Sequence, residues 1–549
     1  MKVLLCALNS KYIHSSLAVW YLSAAVQGCE NIDCQVYEAT INEKEDKIFN
    51  DIKSYGADLI AFSTYIWNKE LVLRLAERIS HETGAKILLG GPEVSYNSCE
   101  LMGTYSFIDY IISGEGEEPF FKLCSGYPKE EIEGLIYKKC GGVCENQAKF
   151  PEKDPPNPYS QEYFDSLNGR ITYIETSRGC PYRCAFCLSG RCGGVRFFDL
   201  ESSKKNILLL AGSKTQTVKF VDRTFNADRK RASEIWNFII GEYGKKIPKG
   251  VCFHFEIDGT LVDEETIEVL KKAPSGLFQL EIGLQSFNPS TLKAVNRRSN
   301  LEKLTENIKR IIALGNIHTH IDLIIGLPYE NIESFKISFD KAYQLKTHML
   351  QVGFLKLLHG SELRENNSYK CEFSDTPPYE IQSNPWLSTK ELEELHLFED
   401  VFERMYNSRR FALTCDYLDT LFESPFEMFM GFCRYIAEEG REKSLDGFTK
   451  QIYEHFSSFD FVDASTLRDK MAIDRLATNR MGCLPEFLKV HSPKIKLALN
   501  LLDKNDNTKR LSGVKRAATV LLTENKLAYV DYDQCDYVTN RFLVKFTEI

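Results

Sequence analysis

The sequence contains no apolar run near the roughly 20 residues that a membrane-spanning helix requires, although 43% of its 549 residues are hydrophobic. Its formal net charge of −9 is modest, which argues against a strongly basic nucleic-acid-binding surface, although one basic face remains possible. The first stretch, MKVLLCALNSKYIH, is too short and unflanked for a signal peptide and favours a buried strand instead. These absences predict a soluble globular protein.

A disulfide framework is also not indicated. The chain has seventeen cysteines, an odd number, scattered along a large sequence without a secretion signal. This distribution is typical of reduced thiols in the cytosol, so we expect a cytoplasmic protein. The length predicts about three or four domains of roughly 100–200 residues each.

The first part of the chain alternates apolar runs with amphipathic segments of helical period. The runs typical of strands are 2–8, 34–39, 58–65, 86–91 and 107–114, and helical segments include 15–27 and 69–83. Repeated strand–helix units predict an α/β domain over residues 1–130, with a parallel, doubly wound, Rossmann-like (flavodoxin-like) sheet. Neither a G-x-G-x-x-G after the first strand nor a G-K-[ST] is present, which excludes the usual dinucleotide and P-loop sites.

A short connecting region is assigned to residues 131–167. It holds a predicted hairpin at 134–147, around a Gly-Gly turn, and a Pro-rich linker at 150–163. Cys140 and Cys144 flank the turn and are interpreted as ordinary hairpin residues, because a metal site needs more ligands nearby.

Strands and helices alternate again from residue 168 to residue 365. The strand-like runs are 171–176, 218–222, 251–257, 277–284, 319–326 and 349–358. Six such strands with five intervening helices predict a partial (β/α)6 barrel whose active site lies at the carboxyl ends of its strands. Residues 366–549 predict a mainly helical α+β domain that ends in a small antiparallel sheet.

Three cysteines follow the first barrel strand with C-x3-C-x2-C spacing: Cys180, Cys184 and Cys187. Structural zinc sites usually need four ligands, so zinc would have to recruit another residue, for example Cys192. An iron–sulfur cluster is the other thiolate-rich option. Three cysteines on a four-iron cluster leave one iron open for a substrate or cofactor.

With the aromatic Phe186 before its last cysteine, the triplet resembles the signature of the radical S-adenosylmethionine (SAM) enzymes. In that family three cysteines bind a [4Fe–4S] cluster, SAM chelates the open iron, and reduction cleaves SAM to a 5′-deoxyadenosyl radical. The resemblance implies that Cys180, Cys184 and Cys187 are the ligands and that Phe186 shields them. As a fourth ligand Cys192 would close the open iron, so we expect it to pack or to line the loop.

Four further segments resemble strand motifs of the same family: VDRTFN (221–226), LEIGLQS (280–286), IDLIIGLPYE (321–330) and VGFLKLLHGSEL (352–363). The resemblance implies that Asp222, Asn226, Glu281, Gln285, Gly326 and Pro328 lie near SAM. Glu256 is expected to contact SAM or substrate only because its strand ends at the barrel mouth. Ordinary solvated strand ends are the alternative for the acidic residues among them. The arginines of NRRSN (296–300) either grip a phosphate or carboxylate or are solvated surface charge.

A doubly wound domain before such a barrel resembles the cobalamin-binding class of these enzymes, with GGPEVS (90–95) and SGEGEEPF (113–120) as its marks. The resemblance covers about residues 1–365 and implies cobalamin between the two domains. The residues it places near the corrin are Ser63, Thr64, Gly90, Gly91 and Glu93. For the two glycines a tight turn is the alternative interpretation.

One motif of many cobalamin proteins is missing. Where those proteins carry D-x-H-x-x-G after the first strand, this chain has NSKYIH (9–14). His14 is therefore interpreted as a histidine near a helix start rather than as an axial ligand. This departure changes axial coordination without excluding the cofactor, and it leaves open a domain that has lost cobalamin.

Three hypotheses for function follow. The first is a cobalamin-dependent radical SAM enzyme that methylates an unactivated carbon or phosphorus centre. The second uses the same barrel without methylcobalamin, for rearrangement, lyase or methylthiotransfer chemistry. The third is a non-catalytic iron–sulfur or cobalamin sensor. The expected partners are a small or macromolecular substrate of unknown identity and an electron donor such as flavodoxin or ferredoxin, and no membrane partner is expected.

Overall fold

The computed structural model describes residues 1–191, 193–479, 483–490, 492, 493, 495, 517–524 and 526–548. The chain divides into two compact units. The first unit comprises residues 1–281, 290–300 and 354–385, and the second comprises 282–289, 301–353 and 386–549. Over the described ranges, no helix is both long enough and apolar enough to cross a membrane.

A seven-stranded sheet opens the first unit. Its strands are β1 (Lys2–Asn9), β2 (Asp33–Thr40), β3 (Leu59–Ser63), β4 (Lys86–Gly90), β5 (Tyr110–Ile112), β6 (Leu135–Lys139) and β7 (Gly142–Glu145). The strand order is β2-β1-β3-β4-β5-β6-β7, and β1 to β5 pair in parallel. β1 is buried along nearly its whole length, as expected for a parallel strand covered on both faces. The predicted doubly wound sheet is confirmed.

Six helices connect these strands: α1 (Ala18–Ala25), α2 (Glu45–Tyr55), α3 (Lys69–Thr83), α4 (Pro92–Ser95), α5 (Ser98–Thr104) and α6 (Glu117–Cys124). Both α2 and α3 end at a glycine in the left-handed conformation, Gly56 and Gly84, which is the usual helix stop. The predicted hairpin at 134–147 is confirmed as β6 and β7, which extend the sheet in antiparallel pairing.

The barrel begins in the first unit. Its elements are α7 (Gln161–Leu167), β8 (Thr172–Ile174), β9 (Ser177–Arg178), β10 (Arg196–Phe197), α8 (Leu200–Ala211), β11 (Thr217–Phe220), α9 (Arg229–Glu242), β12 (Cys252–Ile257), α10 (Glu264–Leu270), β13 (Phe278–Gln285) and α11 (Pro289–Ala294). β8, β11 and β12 pair in parallel, and the start of β13 follows them in the strand order. β9 and β10 form a separate antiparallel pair.

The second unit contains the end of β13 and the next elements, α12 (Leu301–Ala313), β14 (His318–Ile325), α13 (Ile332–Tyr343) and β15 (Met349–Phe354). Along β14 every second residue is fully buried. This alternation leaves one face of the strand for half-buried, mostly polar side chains, as in a barrel whose interior takes a ligand. In this unit the end of β13, β14 and β15 follow one another in chain order.

A short segment then returns to the first unit with α14 (Glu362–Glu365) and the antiparallel pair β16 (Glu372–Phe373) and β17 (Ile381–Ser383). The rest of the second unit is mainly helical: α15 (Thr389–Phe402), α16 (Ala412–Asp419), α17 (Pro425–Glu439), α18 (Leu445–Ser457) and α19 (Ala464–Thr478). The chain ends in an antiparallel sheet of β18 (Ala517–Val520), β19 (Lys526–Cys535) and β20 (Phe542–Glu548).

Two buried aspartates on α19 connect this terminal sheet with the helices. Asp474 accepts hydrogen bonds from the backbone N–H of Leu413 and from Arg541, and Asp469 accepts from the backbone of Leu522. Both carboxylates are nearly inaccessible to water, and buried charges require such partners. The predicted fold class, a doubly wound sheet, a partial barrel and a mainly helical part ending in a small β-sheet, is confirmed.

Candidate active site

The three cysteines lie on one tightly folded loop after β8 and β9. The backbone N–H of Ala185 donates to the carbonyl of Val295 at 2.9 Å, and the N–H of Cys187 donates to the carbonyl of Cys184 at 3.0 Å. A Cβ atom at Gly190 would collide with the carbonyl oxygen of Tyr182. Only glycine fits there, so the sequence LSGR after the triplet sets the curvature of the loop.

Each cysteine sulfur has its own polar neighbour. Sγ of Cys180 lies 3.3 Å from Oγ1 of Thr224. Sγ of Cys187 accepts from the backbone N–H of Ser189 at 3.4 Å. Nη1 of Arg297 lies 3.8 Å from Sγ of Cys184, and its charge opposes the burial that raises the pKa of that thiol.

This donor set fits an iron–sulfur cluster. Three soft sulfur ligands on one loop, two of them beside a donor that stabilises a thiolate, match the way proteins hold and tune such clusters. Phe186 is half-buried on the same loop. Cys192 lies outside the described residues, so its position relative to the triplet stays a prediction.

Asp222 is almost completely buried at the end of β11. Its Oδ1 accepts from the hydroxyls of Thr176 and Ser177 at 2.7 and 2.5 Å, and its Oδ2 accepts from the N–H of Thr176 at 3.0 Å. Burial raises the pKa of this carboxyl and the hydrogen bonds lower it. The structure therefore places Asp222 as a support of the segment that leads into Cys180, and its predicted approach to SAM stays a prediction.

Asn226 supports a neighbouring strand end. Its side-chain amide donates to the carbonyl of Asp258 at 2.9 Å and accepts from the N–H of Asp258 at 2.8 Å. With these two hydrogen bonds, both the nitrogen and the oxygen of the buried amide have a partner. The side chain thereby fixes the turn after β12, and its contact with SAM remains a prediction.

Polar side chains also lie side by side on the strands of the barrel in the first unit. Tyr173 of β8, Lys219 of β11 and His254 of β12 are partners in the strand register. Oε2 of Glu281 lies 3.1 Å from Nε2 of His254 and 3.6 Å from Nζ of Lys219. Glu256, further along β12, lies 4.0 Å from Nη1 of Arg223. Lys219 and His254 are not among the residues predicted from the sequence, although their alternation along the strands is a usable signal.

The predicted site residues of the second unit lie at or just after the ends of two strands, β13 and β14. Gln285 has a left-handed backbone with φ of 72°, and in the described part of the chain its Oε1 is buried without a hydrogen-bond partner. A non-glycine residue in this conformation often marks a functional position. Gly326, with φ of 91°, and Pro328 are both buried in the turn after β14.

Glu330 follows the same turn and is 1% exposed. Its Oε1 accepts hydrogen bonds from the hydroxyls of Ser286 and Ser338 at 2.6 and 2.8 Å. Burial raises the pKa of this carboxyl to about 7. Ser286 belongs to the LEIGLQS segment, so Glu330 ties the two motif segments of the second unit together.

The carboxyl edge of the doubly wound sheet brings two predicted loops into close contact. A Cβ at Gly91, which has φ of 108°, would lie 2.5 Å from the carbonyl oxygen of Thr64. The N–H of Thr64 donates to the carbonyl of Gly90 at 2.7 Å. The close approach of these backbones requires glycine, and half-buried Ser63 precedes the contact.

Thr64 provides a test of whether this edge fits a cofactor. Its side chain is completely buried, and within the described ranges its Oγ1 has no hydrogen-bond partner. An unpaired buried hydroxyl is costly and commonly waits for a ligand or water. A buried hydroxyl without a partner, beside a backbone contact that only glycine permits, fits a ligand with polar side chains such as a corrin.

His14 and Glu93 of this domain each have a polar partner in the structure. Nδ1 of His14 lies 2.6 Å from the hydroxyl of Tyr173, and burial lowers the pKa of this histidine. Glu93 is 3% exposed, and its Oε2 accepts from the hydroxyl of Tyr379 at 2.8 Å. The structure thus places His14 in a contact with the first barrel strand and Glu93 in a buried polar contact.

One arginine joins the two predicted cofactor regions. Arg178, two residues before Cys180, donates to Glu115 and Glu117 at 2.5 and 2.6 Å and to Glu175 at 2.9 Å. The two glutamates belong to the SGEGEEPF segment after β5. Burial raises the pKa of Glu175 to about 7 against the opposing charge of Arg178. The loop that carries the cysteines is therefore fastened to the doubly wound sheet.

Three family models match the chain in the expected order. The B12 binding domain matches residues 3–123, the Radical SAM superfamily matches residues 174–342, and a protein of unknown function (DUF4080) matches residues 367–540. The cysteine triplet lies inside the second range and the Thr64–Gly91 contact inside the first.

Named proteins with similar sequences include the 2-(S-pantetheinyl)-carbapenam-3-carboxylate methyltransferase of Streptantibioticus cattleyicolor, 25% identical over 53% of this chain and 45% of its own. The chain therefore spans less than half of that relative. The anaerobic magnesium-protoporphyrin IX monomethyl ester cyclase of Rubrivivax gelatinosus is 22% identical over 93% of this chain and 94% of its own.

A solved structure with a similar fold is that of the cobalamin-dependent S-adenosylmethionine radical enzyme OxsB, with aqua-cobalamin and S-adenosylmethionine bound. It covers 92% of this chain and 82% of its own at a TM-score of 0.60 and 16% sequence identity. This likeness shows the fold.

Proposed function

Because the chain belongs to the radical SAM superfamily and carries a B12-binding domain, we propose that it is a cobalamin-dependent methyltransferase of an unactivated carbon or phosphorus centre. Its cofactors are a [4Fe–4S] cluster, SAM and cobalamin, which when bound supply a 5′-deoxyadenosyl radical and a transferable methyl group. The methyltransferase activity in the name of the Streptantibioticus relative supports the proposal.

The observation that carries the proposal is the attachment of Arg178 to Glu115 and Glu117. It holds the start of the cysteine loop against the loop after β5, whose carboxyl edge is where a doubly wound sheet binds ligands. Methyl transfer from one cofactor to a substrate radical made by another requires the two cofactors to face the same substrate. This contact supports that arrangement.

In this proposal some residues bind a cofactor and others position the cofactor-binding segments. Cys180, Cys184 and Cys187 hold the cluster, and Thr64 with Gly91 forms part of the corrin-binding edge. Asp222 and Asn226 keep the strand ends in place through buried hydrogen bonds. Rigid contacts of this kind hold the cofactor-binding residues in a fixed geometry.

An electron donor and a location in the cell complete the proposal. The reducing electron would come from a small carrier such as flavodoxin or ferredoxin. A cytoplasmic location agrees with the absence of disulfides among the described cysteines, since thiols stay reduced there.

Anaerobic reconstitution tests the cofactor assignment. The purified chain, supplied with iron, sulfide and hydroxocobalamin, is expected to retain both a cluster and cobalamin after gel filtration, each seen in its absorbance spectrum. Thr64→Val is the matched probe of the corrin edge, and Thr104→Val on the exposed face of α5 is its control. A chain that retains the cluster but takes up no cobalamin would overturn the methyl-transfer proposal.

The cyclase relative favours a second candidate, because its similarity extends over nearly the whole of both chains. In this alternative the same barrel carries out radical chemistry on substrate without methyl transfer. Formation of 5′-deoxyadenosine without S-adenosylhomocysteine, in the presence of bound cobalamin, would select it over the first.

A further inference from the structure

A buried polar triad joins the doubly wound sheet to the segment that follows β15. Nζ of Lys69 donates to the hydroxyl of Tyr379 at 2.7 Å, and that hydroxyl donates to Oε2 of Glu93 at 2.8 Å. Lys69 and Glu93 themselves are 3.6 Å apart. The three residues are 8%, 1% and 3% exposed for Lys69, Tyr379 and Glu93, so each polar group depends on the others for hydrogen bonding.

Two members of the triad adjoin the two loops that form the predicted corrin edge. Lys69 is the first residue of α3, directly after the loop that contains Thr64, and Glu93 follows Gly91 in α4. The N–H of Glu93 also donates to the carbonyl of Thr64 at 3.3 Å. A change in the position of Tyr379 is therefore transmitted to both loops at once.

Tyr379 itself is held firmly by its own segment. Its carbonyl accepts from the N–H of Leu357 at 2.9 Å, its ring meets the edge of the His359 ring at a centroid distance of 5.0 Å, and the Arg364 guanidinium lies 4.7 Å from the ring centre. A second contact lies nearby, because a Cβ at Gly360 would collide with the ring of Tyr96, a residue of the loop after α4.

The same segment touches the cysteine loop. The N–H of Leu363 donates to the carbonyl of Ala185, between two of the cysteines, at 3.0 Å. Arg191, just after the triplet, forms an ion pair with Glu365 at 2.9 Å. Residues 359–379 therefore contact the loops of both predicted cofactors, and Tyr379 belongs to the region matched by the model of unknown function.

We propose that Tyr379 is a positioning residue that clasps the loops after β3 and β4, and that this clasp holds the corrin-binding edge in the conformation that takes up cobalamin. With this role of Tyr379, the beginning of the DUF4080 region has a structural function. The inference rests on the proposed function for the identity of the cofactor, but the ordering of the two loops by Tyr379 is independent of it.

Tyr379→Phe tests the clasp in the full-length, cluster-reconstituted chain. The substitution keeps the ring and removes the hydroxyl that Lys69 and Glu93 share. A hydrogen bond to a charged group stabilises a structure more than one between neutral groups. Its loss is therefore expected to lower the hydroxocobalamin affinity roughly 10-fold, as measured by absorbance titration. In the cobalamin-free chain, amide hydrogen exchange of residues 64–69 and 91–96 is expected to accelerate by a similar factor.

Controls separate this effect from general destabilisation. Tyr537→Phe, a 70% exposed tyrosine in the same matched region, is expected to change neither quantity, and iron content is expected to be equal in all variants. Lys69→Met removes the other donor, and combining it with Tyr379→Phe is expected to lose little more affinity than Tyr379→Phe alone, since both act through one network. Lys69→Met also serves as the test if Tyr379→Phe does not fold.

The outcomes distinguish the inference from the proposed function. Unchanged exchange of the two loops in Tyr379→Phe would overturn the clasp, whatever cobalamin does. Accelerated exchange with unaltered cobalamin affinity would overturn its role in cofactor uptake. Accelerated exchange in a chain whose wild type binds no cobalamin would keep the clasp and overturn the cofactor assignment.

Discussion

Nη1 of Arg297 lies 3.8 Å from Sγ of Cys184, which places one positive charge beside a predicted cluster ligand. The neighbouring Arg298, identical in charge, is exposed. The NRRSN segment therefore contains one arginine directed at the cysteine loop and one at solvent, a difference that no feature of the sequence reveals.

Replacing Arg297 by Met is expected to lower the midpoint potential of the cluster. Loss of a positive donor beside a thiolate ligand disfavours the more negative, reduced cluster. A charged hydrogen bond of about 1.5 kcal/mol corresponds to roughly 60 mV for a one-electron couple. EPR-monitored redox titration measures the shift, and Arg298→Met is the matched control. An equal shift in both variants would contradict the role of Arg297.

Of the four cysteines between residues 180 and 192, the first three are expected to bind the cluster and Cys192 is not. Cys184→Ala, Cys180→Ala and Cys187→Ala should each lose most cluster iron, because three ligands are the fewest that hold a four-iron cluster with one open site. Cys192→Ala should keep the wild-type iron content. Iron and sulfide assays with EPR of the reduced protein provide the measurement. A Cys192→Ala variant without a cluster would show that the triplet alone is insufficient.

Arg178→Met is expected to destabilise the chain by about 3–5 kcal/mol, since it leaves the largely buried carboxylates of Glu117 and Glu175 without their counter-charge. The side chains of Arg178, Glu115 and Glu117 are 15%, 16% and 12% exposed. Arg74→Met is the control, because its ion pair with Glu45 is largely exposed and such pairs contribute at most about 1 kcal/mol. Denaturant unfolding compares the two. Similar losses for both variants would refute a special role for Arg178.

Glu330 is expected to make stability depend on pH. Its pKa is raised from 4.5 to about 7 by burial, so on folding it holds its proton over a range in which the unfolded chain releases it. Its contribution to stability is complete below about pH 4.5 and is lost as pH rises through about 7, a change of roughly 3 kcal/mol.

Glu330→Gln should remove this dependence. The variant is expected to gain stability relative to the wild type as pH rises from about 5 to 8, as measured by thermal unfolding at each pH. Glu333→Gln, an exposed neighbour on α13, is the control and should follow the wild type. Parallel curves for the wild type and Glu330→Gln would show that Glu330 does not titrate in this range.

The elements that could be predicted from the sequence are those whose signal is local. β1 is a nearly unbroken apolar run and becomes a buried strand, and the C-x3-C-x2-C spacing lies on one loop because so few residues separate its members. The alternation of β14 follows directly from its sequence HTHIDLII.

The elements that could not be predicted depend on residues far apart in the chain. Arg178 meets Glu115 across 63 positions and Tyr379 meets Glu93 across 286, and no periodicity records such pairs. Asp222 and Glu93 were expected at ligand sites by motif, but the structure shows only what supports them: hydroxyls for the first and a tyrosine for the second. Their contacts with ligands remain predictions.

We propose methyl transfer by a radical SAM enzyme that uses cobalamin. Analysis of the reaction products tests this proposal most directly. The reconstituted, cobalamin-loaded chain is incubated anaerobically with SAM and a low-potential reductant, and candidate substrates are added in turn. We expect 5′-deoxyadenosine and S-adenosylhomocysteine from the same reaction, and we expect Cys184→Ala to form neither. Formation of 5′-deoxyadenosine alone with every substrate that stimulates turnover would contradict it.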